Sequence, residues 1–495
     1  MSGDRFIINT ASDIFWDFLN NKSQCSMKAY YIKIILFCVF LYSVTHSYSQ
    51  SELKLKKGEV IDNLKVPSSK GIYSIYLPKS FDLSKTWPVL FGFDSTENMN
   101  SFTSLFSKSA EELGYIVVVS NYAEKLSSKE KSDYILLFMK HIISLFPVQN
   151  KRMYVFGAGE DAILNTSLPV LYKKFNGAIA ISNYNQKLNA EKSFSYIGMI
   201  GDQNFRYRNF LGNNKYLKRK GVASDVYIYE GKEELPPQEV IDQALPYFTM
   251  DAMVKGSIPK DSIWITNSYK KDRNQVELLK NKKEYLQAYD ELTRMRNRYA
   301  LFFDVDELKE EQKRIRKIDV YKKKKRVRSK YYNQEMFLKQ TFILSLEEDV
   351  DLKQYDNLGW WQYRMGELDK LAKSNEKYAN DMVLRIKGFL KNTLLDYKKE
   401  ISKNKKEIDR KIFLNILSTI IDKNDFESYR SIISLCATDQ DNETALFYLE
   451  KMLQNGYKEI EPLYTIEGTL VLRISKEYNN IIKKYLGSSK FFSFD

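Results

Sequence analysis

The chain has 495 residues, of which 43% are hydrophobic and 14% aromatic, so it is long and apolar enough to bury two or three cores. Its formal charge of +14 comes from 77 Lys and Arg residues against 63 Asp and Glu residues. No RNP, zinc-finger or helix-turn-helix signature accompanies this charge, so we expect no nucleic-acid partner. The densest basic run, at 322–330, predicts a solvated helical face.

Residues 27–49 have the pattern of a signal peptide. Basic residues flank an apolar run at 32–44, and Ser47 and Ser49 are small residues at the spacing that precedes a signal-peptidase cut. We therefore expect an exported protein, in the periplasm or associated with the cell surface, that meets the membrane only through this signal. The alternative is an uncleaved N-terminal anchor. Residues 1–26 form a doubtful N-terminal extension.

Cysteine and histidine are scarce in this sequence. Cys25 and Cys38 lie within or before the predicted signal peptide, which leaves Cys436 alone in the mature chain and predicts that it has no intrachain disulfide. Zinc sites are built from Cys and His clusters, and no such cluster is visible. A D-x-D-x-D-G calcium loop is likewise missing from the sequence. We expect neither a metal nor a cofactor.

The composition changes near residue 258, which predicts two domains. Nine of the ten prolines lie between Pro67 and Pro259, with only Pro462 beyond them. Residues 51–257 mix apolar, β-branched runs with helical patterns, whereas residues 258–495 are rich in Lys, Glu and Leu at helical spacing. The predicted fold class is therefore α/β followed by an all-helical domain.

In the first domain, continuous apolar strands alternate with helices, which is typical of a mostly parallel sheet covered on both faces. The predicted strands lie at 72–77, 89–93, 115–120, 153–156, 178–182, 195–200 and 222–229. The predicted helices lie at 102–113 and 133–146, after Gly159, and after Pro237. In the second domain, helices are predicted at 274–302, 305–327, 331–346, 360–373, 379–400, 406–421, 426–435 and 443–455.

The turn after the predicted strand at 153–156 is where an α/β-hydrolase-type sheet carries its nucleophile, in the pattern G-x-S-x-G. Here the turn reads Gly157, Ala158, Gly159, Glu160, Asp161. Gly159 stands in the serine position and has no side chain with which to attack a carbonyl carbon. This turn therefore predicts no nucleophilic acyl transfer.

Six segments, in order, resemble the α/β-hydrolase fold, specifically its carboxylesterase and polyhydroxybutyrate-depolymerase-like branch, over about 200 residues between 60 and 257. The resemblance implies an esterase-like sheet, in which the segment at 201–207 normally carries an acid and the segment at 230–237 normally carries a histidine. The segments are IYLP (75–78), WPVLFGFD (87–94), LGYIVVVSN (113–121), RMYVFGAGE (152–160), GDQNFRY (201–207) and EGKEELPP (230–237).

On this resemblance, the catalytic triad of the family falls on Gly159, Asn204 and Glu233, none of which can play the inherited role. Asp202 lies close enough to Asn204 to be an alternative carboxylate. The chain has two histidines, and only His141 lies beyond the predicted signal peptide. A Ser-His-Asp mechanism needs an imidazole beside the nucleophile, and the predicted helix that carries His141 precedes the elbow strand. We therefore predict a structural histidine.

Other residues offer weak substitutes for the triad. Asp161 would need a base to activate water, and Ser167 lies inside the following helix without one. Glu160 and Glu233 could form a carboxylate pair for acid-base chemistry, although exposed loop glutamates are usually solvated. The loop after the strand at 89–93 reads Asp-Ser-Thr-Glu instead of a glycine-rich oxyanion turn.

The helical half resembles the tetratricopeptide-containing regions that follow esterase-like domains in exported bacterial proteins. The resemblance rests on LGWWQYRMGELDKL (358–371) and ALFYLEKMLQNGYKE (445–459), without a strict 34-residue period. It implies a concave face that binds a protein or peptide. Tryptophans 360 and 361 are neighbours on one predicted helix, where such pairs usually divide between core and surface.

Our leading hypothesis is a catalytically degenerate hydrolase-fold protein that acts as a binding or scaffolding module. The alternatives are an ester or peptide hydrolase with a rebuilt site, which rests on analogy of fold, and a structural protein without ligand or partner. A small ligand in the vestigial cleft is also compatible with the sequence. The candidate cleft or partner residues are Asp94, Ser95, Glu160, Asp161, Asp202, Trp360 and Trp361.

Overall fold

The computed structural model of the protein describes residues 55–96, 98–122, 126–186, 194–232, 235–401 and 407–492. The predicted signal peptide at 27–49, the extension before it and Glu233 lie outside these residues. From Lys57 onward the chain forms one compact unit, which contains both the sheet and the C-terminal helices.

Eight strands form one sheet: β1 (Val60–Lys65), β2 (Ile72–Tyr76), β3 (Trp87–Asp94), β4 (Ile116–Asn121), β5 (Val148–Ala158), β6 (Gly177–Ile181), β7 (Ser195–Gly201) and β8 (Ala223–Tyr229). Their order in the sheet is β1-β2-β4-β3-β5-β6-β7-β8. Strand β2 is antiparallel to both β1 and β4, and every other pairing is parallel. The carboxyl ends of β3 to β8 therefore meet at one edge.

Helices cover both faces of the sheet, as the fully buried strands β3 and β7 require. On one face, Phe248 stacks on Tyr154 of β5 with ring centroids 4.2 Å apart. On the other, Phe138 contacts the rings of Phe91 and Phe93 in β3. The helices of this part are α1 (Met99–Leu113), α2 (Ser128–Leu145), α3 (Asp161–Leu171), α4 (Tyr207–Arg219), α5 (Gln238–Ile241) and α6 (Ala244–Val254).

The predicted architecture of a mostly parallel sheet followed by a helical region is confirmed. Two elements of the α/β part escaped sequence analysis. Strand β1 reads VIDNLK, has no fully buried residue and contains Asn63 at φ +58°, so its period-two pattern is broken. Helix α4 is rich in Asn, Lys and Arg and buries only Tyr207, Phe210 and Leu217, which gives a weak apolar stripe.

Ten helices follow the sheet in the part of the chain that the structure describes. They are α7 (Ser262–Asn281), α8 (Tyr285–Tyr299), α9 (Asp306–Lys317), α10 (Asp319–Leu352), α11 (Leu358–Ala372), α12 (Lys377–Ile401), α13 (Ile408–Ile421), α14 (Phe426–Thr438), α15 (Asn442–Gln454) and α16 (Lys476–Leu486). No helix among the described residues is both long and apolar enough to cross a membrane.

Two predicted helix boundaries were wrong. The helix predicted at 274–302 is broken at Lys283, which adopts φ +58° while the amide of Glu284 donates to the Leu279 carbonyl at 2.8 Å. These bonds form a Schellman ending in which lysine takes the place of glycine, so the usual sequence signal is missing. The gap predicted at 328–330 lies inside the continuous helix α10, and the chain breaks instead at Ile318, which has extended backbone angles.

The helices bury three further cores beyond the sheet, the first of which lies between α6 and α10 and includes Val276 and Leu292. Two more follow along the chain. One lies between α10 and α13 and includes Phe342 and Trp361. The other lies between α13 and α16 and includes Ile433 and Leu449. Each helix from α11 to α16 contacts the next along the chain, so this region buries its apolar faces by stacking neighbours in sequence order.

Helix α8 covers the edge strand β8. Arg298 donates to Asp272 at 3.1 Å and to the hydroxyl of Tyr227 in β8, and all three side chains are buried. Arg294 lies one turn earlier, with its Nε 3.3 Å from the Asp225 carboxylate of β8. Charged contacts at the edge protect β8 from pairing with another chain and fix the first helices of the C-terminal region against the sheet.

Candidate functional site

Strand β5 passes into helix α3 through a tight turn with Gly159 at its tip. Gly159 has φ +54°, in the left-handed region, and its amide donates to the Ile181 carbonyl of β6 at 3.0 Å. This strand-turn-helix geometry is that of a nucleophile elbow. A Cβ atom built on Gly159 would meet nothing within 4 Å. The tip therefore projects into open space and carries no reactive group.

The first glycine of the elbow has a packing role. A Cβ atom on Gly157 would lie 2.7 Å from the Cα of Ala162 and 2.8 Å from the Cβ of Asn165, both in α3. Only glycine lets the helix approach the strand this closely. Asn165 then bridges α3 to β3, donating to the Phe93 carbonyl at 2.8 Å. The elbow thus keeps its backbone geometry without its nucleophile.

The carboxylate of Asp161 points back into the elbow and accepts hydrogen bonds from three donor groups. The amide of Ser95 donates at 2.9 Å, the Ser95 hydroxyl donates at 2.9 and 3.0 Å, and the Tyr122 hydroxyl also donates. Ser95 lies in the loop between β3 and α1, whose backbone amide completes the oxyanion hole in hydrolases of this fold. In this chain that amide already binds an internal anion. We call Asp161, Ser95 and Tyr122 the elbow lock.

Asp94 shapes the loop beside the elbow lock. It is buried, and its carboxylate accepts from the Thr96 amide at 3.0 Å, the Thr96 hydroxyl at 2.7 Å and the Asn98 amide at 2.7 Å. These bonds hold the turn that leads into α1. The Asp94 carboxylate is therefore occupied by donors of its own loop and has little hydrogen-bonding capacity left for a ligand.

One cavity beside the elbow is very small. The cavity there has about 10 Å³ accessible to water, enough for a single water molecule. It is lined by Phe93, Asp94, Phe102, Val119, Phe156, Gly157, Ala158 and Asp161. An ester substrate does not fit in it.

The remaining elbow candidates bind neighbouring side chains. The exposed Glu160 carboxylate accepts from Asn183 at 3.1 Å and lies 3.4 Å from the guanidinium of Arg206. The Ser167 hydroxyl donates to the Ile163 carbonyl at 2.6 Å, within α3. The predicted pair of Glu160 with Glu233 involves a residue outside the described part of the chain.

His141 lies on α2 and contacts β2. Its Nε2 is 3.4 Å from the Tyr73 hydroxyl, and the two rings meet edge to face. Burial lowers the pKa of His141, which favours the neutral imidazole. Its contacts with Tyr73 and its place on α2 are those of a residue that packs the helix against the sheet.

The loop after β7, residues 201–208, is a contact surface for the C-terminal helices. The Asp202 carboxylate accepts from the Gly231 amide at 3.3 Å and from Lys377 of α12 at 2.7 Å. Asn204 is 1% exposed, and its carbonyl oxygen accepts from the Arg206 amide at 2.8 Å. Its amide nitrogen finds no hydrogen-bond partner among the described residues.

Helices α10 and α12 cover this loop, and we call these two helices the cap. Arg385 of α12 donates to the backbone carbonyl of Asp202, and Gln203 donates to the Asp381 carboxylate at 3.1 Å. Lys339 of α10 donates to the Phe205 carbonyl at 3.2 Å. The loop that should present a catalytic acid to a substrate therefore faces the protein's own helices.

A buried ion pair holds the cap together. Arg385 is 2% exposed and donates to Glu335, which is fully buried, at 2.9 Å from Nε and 2.8 Å from Nη2. Lys339 lies 2.9 Å from the other oxygen of Glu335, and burial lowers the pKa of Lys339. The rings of Tyr207 and Tyr332 lie beside the guanidinium, with centroids 5.1 and 5.8 Å from it.

Sequence reasoning missed the cap, although the signal was present. Asp381 and Arg385 are one helical turn apart in α12 and lie among the apolar residues Met382 and Ile386, all buried. Charged residues on the apolar side of a helix predict buried polar contacts. The position of Glu335, fifty residues earlier, follows only from the packing of α10 against α12.

The two tryptophans belong to a helical core. Trp361 is 0% exposed, and its indole nitrogen donates to Asp349 at 2.6 Å. It therefore cannot contact a partner, and its prediction as a partner residue was wrong. Trp360 is half-buried and contacts Phe342 edge to face. Both side chains stabilise the packing of α11 on α10.

Among the described residues, no group of three or more His, Cys, Asp or Glu side chains could hold a metal ion. No protein-family model matches the chain, and no curated protein matches it.

Several solved esterases and hydrolases are similar to the α/β part. A ferulic acid esterase is 16% identical with a TM-score of 0.32, and the match covers 39% of this chain and 98% of the esterase. The S-formylglutathione hydrolase of Staphylococcus aureus is 14% identical with a TM-score of 0.32, over 39% of this chain and 98% of that one. An esterase of Pyrobaculum calidifontis is 10% identical with a TM-score of 0.33, over 48% and 98%.

We predict that Asp161→Asn destabilises the protein. The substitution removes the negative charge that accepts from Ser95 and Tyr122, and a hydrogen bond to a charged group contributes about 1.5–3 kcal/mol. The free energy of unfolding, measured in urea, should fall by about 2 kcal/mol.

Glu160→Gln, one residue away on the exposed side of the elbow, is the matched control and should change the free energy of unfolding by less than about 0.5 kcal/mol. Equal effects of the two substitutions would contradict the elbow lock.

We predict a larger loss for Arg385→Met, because it leaves Glu335 and the Asp202 carbonyl without their guanidinium partner. Breaking one side of a buried ion pair costs about 3–5 kcal/mol. Hydrogen exchange at 201–208 should rise more than exchange in β5. The control is Arg410→Met at a more exposed pair with Asp351, where a loss near 1 kcal/mol or less is expected. Unchanged exchange at 201–208 would mean that the cap does not hold the loop.

Proposed function

We propose that this protein is an exported, catalytically degenerate hydrolase-fold protein that binds or scaffolds a protein or peptide partner. The observation that carries the proposal is Gly159 at the tip of a well-formed elbow. The turn has the backbone geometry that presents a nucleophile, and the residue there has no side chain.

The other parts of acyl-transfer chemistry point the same way. The mechanism needs a general base beside the nucleophile and two backbone donors for the oxyanion. The imidazole of His141, on α2, contacts Tyr73 of β2, and the Ser95 amide binds Asp161. Loss of one oxyanion donor alone costs about 10²–10³ in kcat in hydrolases. This geometry supports the absence of a working catalytic triad, as opposed to an enzyme with reduced activity.

The cap and the small cavity argue against a substrate cleft. The loop at 201–208 contacts α10 and α12, and the space beside the elbow holds about one water molecule. The same cavity gives no room for a small ligand. A larger cavity, of about 340 Å³, lies away from the elbow, between α4 and β8 on one side and α8 and α10 on the other. We propose that the binding role belongs to the helical region.

The helical region offers exposed apolar side chains for a partner. Phe337 of α10, Tyr363 of α11 and Phe447 of α15 are 67%, 62% and 53% exposed. Stacked helices of tetratricopeptide-like regions bind peptides and proteins through such faces. We propose a tetratricopeptide-like role for α11 to α16, in which sequential packing presents Tyr363 and Phe447.

We test the loss of catalysis with a fluorophosphonate serine-hydrolase probe and with short-chain nitrophenyl esters. The protein is residues 51–495, which contain the whole compact unit from Lys57 onward. We expect no covalent labelling and no turnover above buffer, because an activated serine hydroxyl is missing. Gly159→Ser is the informative variant, and it should also remain unlabelled, since no imidazole lies beside the new hydroxyl.

Labelling of the natural protein would refute the proposal and support a hydrolase with a rebuilt site. Ser95→Ala would then show whether the hydroxyl in the elbow lock is the one labelled. Labelling of Gly159→Ser alone would mean that a base stands near the tip after all.

For export, we expect the protein recovered from the periplasm to begin at Gln50 or Ser51, because Ser47 and Ser49 match the signal-peptidase pattern. N-terminal sequencing of the protein made in a bacterial host measures this directly. Ser49→Arg, which places a large charged residue beside the cut, should block processing. A natural N-terminus before residue 27 in the periplasmic fraction would contradict the signal peptide and favour an anchor.

A further inference from the structure

The C-terminal half of α9 and the first turns of α10 present a dense group of cations. Residues 313–330 contain eleven Lys and Arg residues and one acidic residue, Asp319. Three of the cations pair with carboxylates: Lys313 with Glu310, Lys322 with Asp319, and Arg328 with Asp290. The other eight form no ion pair with any described residue. We call the Lys and Arg side chains of 313–330 the basic patch.

The fold fixes these charges on the surface. Ile315 of α9 and Tyr321 of α10 are buried and hold the two helices against the core of α7 to α9. A single residue, Ile318, separates the helices, which contact each other. Arg316, Lys317, Lys323 and Arg326 are consequently exposed within one short stretch of chain.

The arrangement is unfavourable for the isolated protein. Lys322, Arg326 and Lys330 follow one another at four-residue intervals on α10, and like charges at this spacing destabilise a helix. The three span about 12 Å along the axis, comparable with the Debye length of about 8 Å in physiological salt. An external surface of negative charge would relieve this repulsion.

We propose that the basic patch binds an anionic phospholipid surface. Seven of the eleven cations are lysines, which act as point charges toward phosphate groups rather than as planar forks. Tyr321 within this stretch and Tyr331 directly after it are both buried, so they offer no platform on which nucleic-acid bases could stack. The choice of lipid over nucleic acid rests on the proposed export, since an exported chain meets membranes. The helical face at 322–330, which the sequence predicts to be solvated, would then contact lipid headgroups.

The proposed contact is electrostatic and shallow. The one large apolar side chain exposed between α9 and Tyr321 is Val320, at 41%, so the patch has no apolar face to insert into the acyl chains. Each lysine or arginine near an anionic bilayer adds to the affinity, and salt screens the whole interaction.

The test is co-sedimentation of residues 51–495 with vesicles of equal parts phosphatidylglycerol and phosphatidylcholine, compared with phosphatidylcholine alone. A patch variant carries Arg316→Gln, Lys317→Gln, Lys323→Gln and Arg326→Gln. A matched control replaces four exposed lysines of the sheet domain, by Lys70→Gln, Lys85→Gln, Lys151→Gln and Lys174→Gln. Both variants lose four charges, and thermal unfolding checks that both fold.

We expect binding to the anionic vesicles alone, at least about tenfold weaker in the patch variant, and within about twofold of the natural protein in the control. Raising the salt to 0.5 M should release the protein.

Equal weakening in both variants would show that net charge alone drives binding and would overturn the proposal, as would no binding at all. If duplex DNA at the same phosphate concentration displaces the protein from the vesicles, the lipid assignment is wrong and the patch binds nucleic acid. Esterase labelling has no bearing on these outcomes, so they are separable from those of the proposed function.

Discussion

The ion pair between Arg385 and Glu335 is the contact on which the arrangement of this protein depends. A buried charge without a partner costs several kcal/mol, so each of the two residues requires the other. Arg385 also donates to the Asp202 carbonyl, which extends the requirement to the loop after β7. Helices α10 and α12 and the carboxyl edge of the sheet are thereby coupled. If the helices moved away from the sheet edge, the Asp202 carbonyl would lose its hydrogen bond, and if α10 and α12 separated, Glu335 and Arg385 would be left as unpaired buried charges.

The coupling brings the C-terminal helices into contact with the carboxyl edge of the sheet. In open α/β sheets, ligands bind beyond the carboxyl ends of the strands. In this protein, Lys377 and Arg385 approach those ends from α12, and Asp161 satisfies the loop amide of Ser95 at the elbow. Two separate groups of side chains, one local and one from the helical region, therefore make contacts at this edge of the sheet.

Much of the fold could be read from the sequence because it depends on local pattern. Continuous apolar strands and the turn at Gly159 have signatures within a few residues, and both were predicted. The break at Lys283 was not, because the usual glycine is replaced by a lysine in the same backbone conformation. The lock and the cap were missed for another reason. Asp161 meets Ser95 across 66 residues of chain and Arg385 meets Glu335 across 50, distances over which no periodicity specifies a partner.

The bare elbow tip also has a consequence for how this protein can change over time. A serine at φ +54° would hold a strained backbone, at a cost of roughly 1–3 kcal/mol that active enzymes accept for the sake of reactivity. Glycine at this position releases that strain. Natural drift toward a serine would then lower stability without restoring a reaction, because the imidazole and the free amide of Ser95 would still be missing. A serine at this position would therefore need several further substitutions before it could take part in acyl transfer.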